Sequence, residues 1–406
     1  MHYSALTQRI AGEGASAWNI HFRAKAREAR GDDVIILSVG DPDFDTPAPI
    51  VEAAVASLRG GATHYAEVQG KRALRERIAD FHREHGGHAA TTADNVAVLA
   101  GAQCGLYAAM QCLVDPGDEV IVPEPAYVTY EAAIQATGAT PVWVPLPAAE
   151  DFQPRMTDLE AAITPRTRAM LINSPHNPTG QCLDDTRWQA IADLCRRYDL
   201  WLIVDAVYAD LIFDGKHSSP DALTGMRQRT VVISSLSKSH AMTGWRLGWV
   251  IGPQDLMTHL VNLALCMLYG SPPFIQDAAI AALSEPPQAL AGMRDEYRQR
   301  RDSVLEALAD SELVTALSPA AGMFMMIDIR ASGLSANAFA NRLLDDHDVS
   351  VLAGDAFGAS ASGFVRLSLT VDAERLREAC RRIERCARQC REESRLTARP
   401  LNGMTS

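Results

Sequence analysis

Long apolar runs are missing from this 406-residue chain. Its most apolar stretches, at 230–233 and 323–329, have strand length and fall far short of a bilayer-spanning helix. Residues 1–10 carry no basic segment followed by an apolar one, so no secretory leader is expected and a cytoplasmic location is. Paired cysteines are missing too. The eight Cys are scattered, none forms a C-x-x-C pair, and no His cluster stands beside them at zinc spacing, which predicts reduced thiols and no metal. Positive charge is in short supply, with 38 Lys and Arg against 50 Asp and Glu and a net charge of −12. Such a chain is a poor non-specific binder of nucleic acid or anionic membrane, although a local basic site for a small anion is compatible with it. Internal repeats and low-complexity segments are absent. What is present is ample apolar content, 47%, which offsets chain entropy and excludes intrinsic disorder. The length predicts one large domain and a second, smaller one.

The middle of the chain alternates short apolar runs with helical patterns. Strands are predicted at 95–99, 119–122, 141–144, 169–172, 201–204, 231–233 and 247–251. Helices are predicted at 103–114, 130–137 and 186–198, the last with Trp188, Ile191, Leu194 and Cys195 at helical spacing. Uniformly apolar strands alternating with helices predict an α/β fold whose mostly parallel sheet is covered on both faces. Near Ser284 the pattern changes. A long helix is predicted from 286 to 309, then strands at 323–329, 349–352 and 365–369, then a basic amphipathic helix at 373–392. The first 30 residues also read as helix. These features predict a large domain over 46–285, a smaller α+β domain from 1–45 and 286–395, and a frayed tail over 396–406.

Chemistry concentrates where predicted strands end. The segment Ser235-Leu236-Ser237-Lys238 runs on to Gly244-Trp245-Arg246-Leu247-Gly248 and lies between two apolar strands. Serine hydroxyls and an Arg fork suit a phosphate dianion, and a lysine beside them becomes nucleophilic when desolvation and nearby cations lower its pKa. Taken alone, the segment reads equally well as a surface loop. Asp205-Ala206-Val207-Tyr208 follows another strand, where ligands of doubly wound sheets bind, although a helix-capping Asp is the plain alternative. Asn173-Ser174-Pro175-His176-Asn177-Pro178-Thr179-Gly180 is a stiff loop after a third strand. Gly101-Ala102-Gln103 opens a helix whose free N–H groups suit an anion. A ligand with a phosphate, an aldehyde, an acidic phenol oxygen and a ring nitrogen would use all four. Pyridoxal 5′-phosphate has that set.

On these motifs the chain resembles the fold-type I, class I/II aminotransferases from about residue 17 to 382. The pattern S-x-S-K-x-x-x-x-x-G-x-R-x-G is complete at 235–248, the N-P-T-G loop stands at 177–180, Y-x-x-x-x-G at 65–70, and G-x-P-D-F at 40–44. The resemblance implies that Lys238 bonds the cofactor aldehyde and that Asp205 pairs with the pyridine nitrogen. It implies that Tyr208 and Asn177 hold the phenol oxygen and that Tyr127 stacks on the ring. It gives the phosphate to Ser235, Ser237, Arg246 and the N–H groups of Ala102 and Gln103, with Tyr65 reaching the phosphate of a partner subunit in a homodimer. Arg366, aided by the Gly40 backbone and by Asn177, would clamp the substrate α-carboxylate. One departure is Ala206, where the family usually has an acidic residue.

The resemblance further implies transamination from L-arginine to pyruvate by a ping-pong mechanism. Glu13 and Glu67 are the carboxylates considered for a donor guanidinium, and each reads equally as a solvated surface charge. Tyr269 is considered for the partner-side wall or for packing. Asp43 and Asp45 belong to the general family loop. Aminotransfer from aspartate, aromatic amino acids or alanine stays open, as does a β-lyase or decarboxylase using the same Lys, Asp and Arg. A nicotinamide dehydrogenase is disfavoured because no G-x-G-x-x-G follows the early strands. A non-catalytic amino-acid-binding protein would leave Lys238 without a purpose.

Overall fold

A computed structural model describes residues 1–11, 18–285 and 287–397. Thirteen strands form three sheets among them. Ile35–Ile36 (β1) begins the small set. Seven strands then build the main sheet: Val96–Leu99 (β2), Glu119–Glu124 (β3), Thr140–Pro145 (β4), Thr167–Asn173 (β5), Trp201–Asp205 (β6), Thr230–Ser235 (β7) and Gly248–Ile251 (β8). Their spatial order is β2-β8-β7-β6-β5-β3-β4, and only β8 runs antiparallel to its neighbours. Alternate residues of one strand serve opposite faces, as strand geometry requires. On β6, Leu202 and Val204 enter one core with Trp188 and Ile191, whereas Ile203 enters the other with Leu106 and Met110. Burial on both faces explains the unbroken apolar runs of these strands.

The remaining strands are Thr315–Ala316 (β9), Phe324–Asp328 (β10), Val349–Ser350 (β11), Leu352–Ala353 (β12) and Phe364–Ser368 (β13). An antiparallel sheet of order β12-β13-β10-β9 packs on the helices Pro287–Ala307, Ala336–His347 and Ala373–Thr397 around a third core. The sequence predicts one strand over 349–352. The structure splits it, because Val349–Ser350 pairs in parallel with β1 while Leu352–Ala353 pairs with β13. A chain that serves two sheets must turn between them. The single N-terminal helix expected over the first 30 residues is likewise corrected. Helices cover Ala5–Arg9 and Asn19–Glu28, and residue 11 between them is not helical. The frayed tail is also corrected at its start, since the last helix continues through Thr397; residues 398–406 lie outside the described residues.

Register positions the site. Asn173 on β5 is the register partner of Asp205 on β6, and Ser235 on β7 is that of Gly248 on β8. The carboxyl ends of three strands and the start of a fourth therefore meet along one edge. The N-terminal arm reaches this edge by a strap. Leu37 N–H donates to Ser350 O at 2.8 Å, Ser368 N–H donates to Leu37 O at 2.9 Å, and the backbone then delivers Gly40. Arg300 anchors the next residues, donating to Asp43 Oδ1 at 2.8 Å with its guanidinium over the Phe44 ring. Asp43 is thus a structural partner of the Pro287–Ala307 helix.

Candidate active site

A cavity of about 310 Å³ opens where these strand ends and the Gly40 strap converge. Lys238, just past β7, lies in it with Nζ donating to Gly40 O at 2.8 Å. Burial pulls its amine down to about 8, and the charges of Arg366 and Arg246 act in the same direction while Asp41 opposes them. A lysine near neutrality with no carboxylate partner is available as a nucleophile and base.

Asp205 closes the floor at the end of β6. Its Oδ2 accepts from the Tyr130 hydroxyl at 2.7 Å and its Oδ1 from Val207 N–H at 3.3 Å. Burial pushes the carboxyl above its usual range, and these donors and Lys238 pull the other way. Tyr130 is the residue sequence reading missed here. It stands three positions after Tyr127, and the two rings meet edge to face at 5.7 Å. Tyr127 lines the cavity, and burial raises its hydroxyl pKa. Tyr208, also raised by burial, has the Asn177 amide against its hydroxyl. The Asn177 loop is set by Asn173, whose Oδ1 accepts from Asn177 N–H at 2.7 Å.

Arg366 enters from β13 and is fully buried. Nη1 donates to Asn177 Oδ1 at 3.0 Å and Nη2 to Ser38 O at 2.9 Å, while Nε has no hydrogen-bond partner. The guanidinium sits 4.1 Å from the Phe324 ring centroid and 4.8 Å from that of Phe357. Neither Phe was legible as a site residue, because each reads as core. Burial lowers Arg366 to about 10, so it stays charged at neutral pH.

The opposite end of the cavity is a cradle. Ser235, Ser237, Ala102 and Gln103 line it, with the last two opening the helix Ala102–Leu113. Arg246 is held by Thr243 O at 2.8 Å. Backbone packing there leaves no space for a side chain: a Cβ on Gly248 would stand 2.5 Å from Ala102 N, and one on Gly101, at φ +88°, 2.5 Å from Arg246 Nη2. Ala206, the family departure, is buried in the large core.

Lys238, Arg246 and Arg366 form no ion pair among the described residues. Three cations around one cavity, none paired to the two carboxylates Asp41 and Asp205 that also line it, suit anionic groups. Tyr65, Glu67 and Tyr269 do not line it. Tyr65 is 85% exposed with its ring against Tyr269 at 4.9 Å. Glu67 is corrected as a guanidinium-binding candidate within its own chain, because its carboxylate pairs with Arg75 at 3.0 Å. Glu13 lies outside the described residues.

Comparison with known proteins agrees with this arrangement. The family model "Aminotransferase class I and II" matches residues 32–383. The chain is 62% identical over 387 residues to arginine–pyruvate transaminase AruH of Pseudomonas aeruginosa, covering 95% of this chain and 98% of that one. It is 35% identical to an aspartate aminotransferase of Geobacillus stearothermophilus over 94% of this chain and 98% of the relative. Among solved structures, the aspartate aminotransferase from Thermus thermophilus with maleate superposes with a TM-score of 0.90 at 32% identity, covering 95% of this chain and all of the other. With both its fold and its sequence matched over nearly their full length, this chain belongs to the class I and II aminotransferases.

Proposed function

We propose that this aminotransferase uses pyridoxal 5′-phosphate to move the α-amino group of L-arginine to pyruvate. The observation that carries the cofactor is the set of three unpaired cations with Asp205 on one cavity. The donor set fits each part of the molecule. Arg246, Ser235, Ser237 and the Ala102 and Gln103 N–H groups suit the phosphate at the helix N-terminus. Asp205 suits a protonated ring nitrogen, because a buried carboxylate needs a cation or donors. Tyr208 and Asn177 suit the phenol oxygen, Tyr127 the ring face, and Lys238 the aldehyde. The unsatisfied Nε of buried Arg366 suits a substrate carboxylate.

When bound, the cofactor supplies an electron sink and a carrier for the amino group. The chain's residues do the rest. Lys238 Nζ, lowered to about 8, would take the proton from the donor Cα as a base and give it up as a general acid at the carbon of the amino-group carrier, not back at Cα. Asp205, fixed by Tyr130, holds the ring-nitrogen proton in place. Arg366, fixed by Asn177, Ser38 and two aromatic rings, orients the α-carboxylate so that the Cα–H faces Lys238. The same clamp serves the 2-oxo acid in the second half-reaction.

Arginine and pyruvate are supported by the 62% identity to a transaminase named for them. We further infer a cytoplasmic homodimer in which Tyr65 contacts the partner's cofactor phosphate. The exposure of Tyr65 and its place outside its own chain's cavity support this. Among the described residues no helix is long and apolar enough to cross a membrane. The holoenzyme given arginine and pyruvate is expected to make alanine and the 2-oxo acid of arginine. Ammonia release without an acceptor would instead mark a lyase.

A further inference from the structure

Every charged residue lining the cavity has a task in this reading except one. Lys238, Arg246 and Arg366 meet the aldehyde, phosphate and carboxylate, and Asp205 meets the ring nitrogen; Asp41 is left over. Its Oδ1 accepts from the Thr243 hydroxyl at 2.7 Å, so the side chain is oriented by a second element. Its other oxygen has no donor among the described residues, and it forms no ion pair. A carboxylate with a free oxygen on the wall of a cavity built for anions repels a dicarboxylic donor and attracts a cationic one.

Reach agrees. Gly40 O is 2.8 Å from Lys238 Nζ, and Asp41 is the next residue. Covalent geometry therefore places its carboxylate within about 6 Å of that carbonyl. The side chain of arginine spans about 6–7 Å from Cα to the guanidinium carbon. A donor whose Cα stands at Lys238 can thus bring its guanidinium to Asp41. Trp18 lines the same cavity, and an aromatic ring is the other kind of surface on which guanidinium groups settle.

We propose that Asp41 is the carboxylate that recognises the cationic side chain of the donor, with Trp18 beside it. This rests on the arginine reading above and replaces Glu13 and Glu67 in that role. The test compares arginine with citrulline, its neutral isostere, and with alanine, using the holoenzyme throughout and 2-oxobutyrate as acceptor, because alanine and pyruvate would only exchange places. In Asp41→Asn the ratio of kcat/KM for arginine to that for citrulline is expected to fall about 10-fold or more, the scale of a lost hydrogen bond to a charged group. Asp41→Glu should restore part of the ratio. An unchanged ratio in Asp41→Asn overturns the proposal. So does an equal loss for all three donors, which would place Asp41 at Lys238 instead of at the side chain. A wild-type holoenzyme that uses alanine but not arginine would defeat the donor reading itself, before any variant is made.

Discussion

Lys238 shows how a residue's chemistry follows from its place. Its position just past β7 buries the amine, and burial with two neighbouring cations lowers it to about 8. The folded protein without cofactor therefore loses this proton near pH 8, whereas an unfolded chain keeps it to about 10.4. Between those values the unfolded state binds more protons, so this group adds stability as pH rises through that window. Capture of pyridoxal phosphate by cofactor-free protein should accelerate with pH through about 8 and then level off, as stopped-flow absorbance would show. A rate that keeps climbing towards pH 10 would mean an ordinary lysine. The motif around Lys238, and Asp205, were legible because polar residues at the ends of apolar strands stand out, whereas the roles of Asn177 and of Arg366, which lies within β13, came only with the family resemblance. Tyr130, Phe324 and Phe357 were not, because a side chain that supports a functional group from inside the core has the composition of core.

At the scale of elements, the site depends on how closely β8 passes the start of the helix Ala102–Leu113. Gly248 is the contact point, with Ala102 N, Gly101 C and Ser234 O all within 3 Å of where a Cβ would stand. Gly248→Ala should therefore push the helix start away from the sheet edge, at an overpacking cost of about 1–3 kcal/mol. Both the thermal midpoint and retention of pyridoxal phosphate should drop together. A variant that keeps both would show that the cradle tolerates a methyl group. Periodicity and apolar runs located most main-sheet elements to within two residues, since burial on both faces leaves little choice of residue. The split of 349–352 between two sheets and the break in the N-terminal helix escaped notice. The first is set by partners distant in sequence, β1 and β13.

The whole molecule carries a net charge of −12 yet gathers three unpaired cations at one cavity, so net charge and site charge have opposite signs. The exposed Tyr65–Tyr269 pair lies away from that cavity and has the character of an interface residue set. Hybrid dimers test whether Tyr65 serves a neighbour. Lys238→Ala and Tyr65→Ala homodimers should each be impaired, the first completely. Dissociated and reassociated together, they should regain activity, because the subunit with Lys238 receives Tyr65 from its partner. No gain over the Tyr65→Ala homodimer would place Tyr65 with its own chain's site. The proposed assembly rests on the family resemblance, because composition and periodicity describe one chain.

The central claim is a transfer from arginine to pyruvate, and a donor panel reads it directly. With pyruvate as acceptor, alanine formation should be measured for arginine, lysine, citrulline, aspartate and phenylalanine with the purified holoenzyme. Arginine is expected to give the highest kcat/KM, with aspartate at least about 10-fold lower because of the unpaired Asp41 carboxylate at the cavity. A panel led by aspartate or phenylalanine, with arginine near background, would contradict the account.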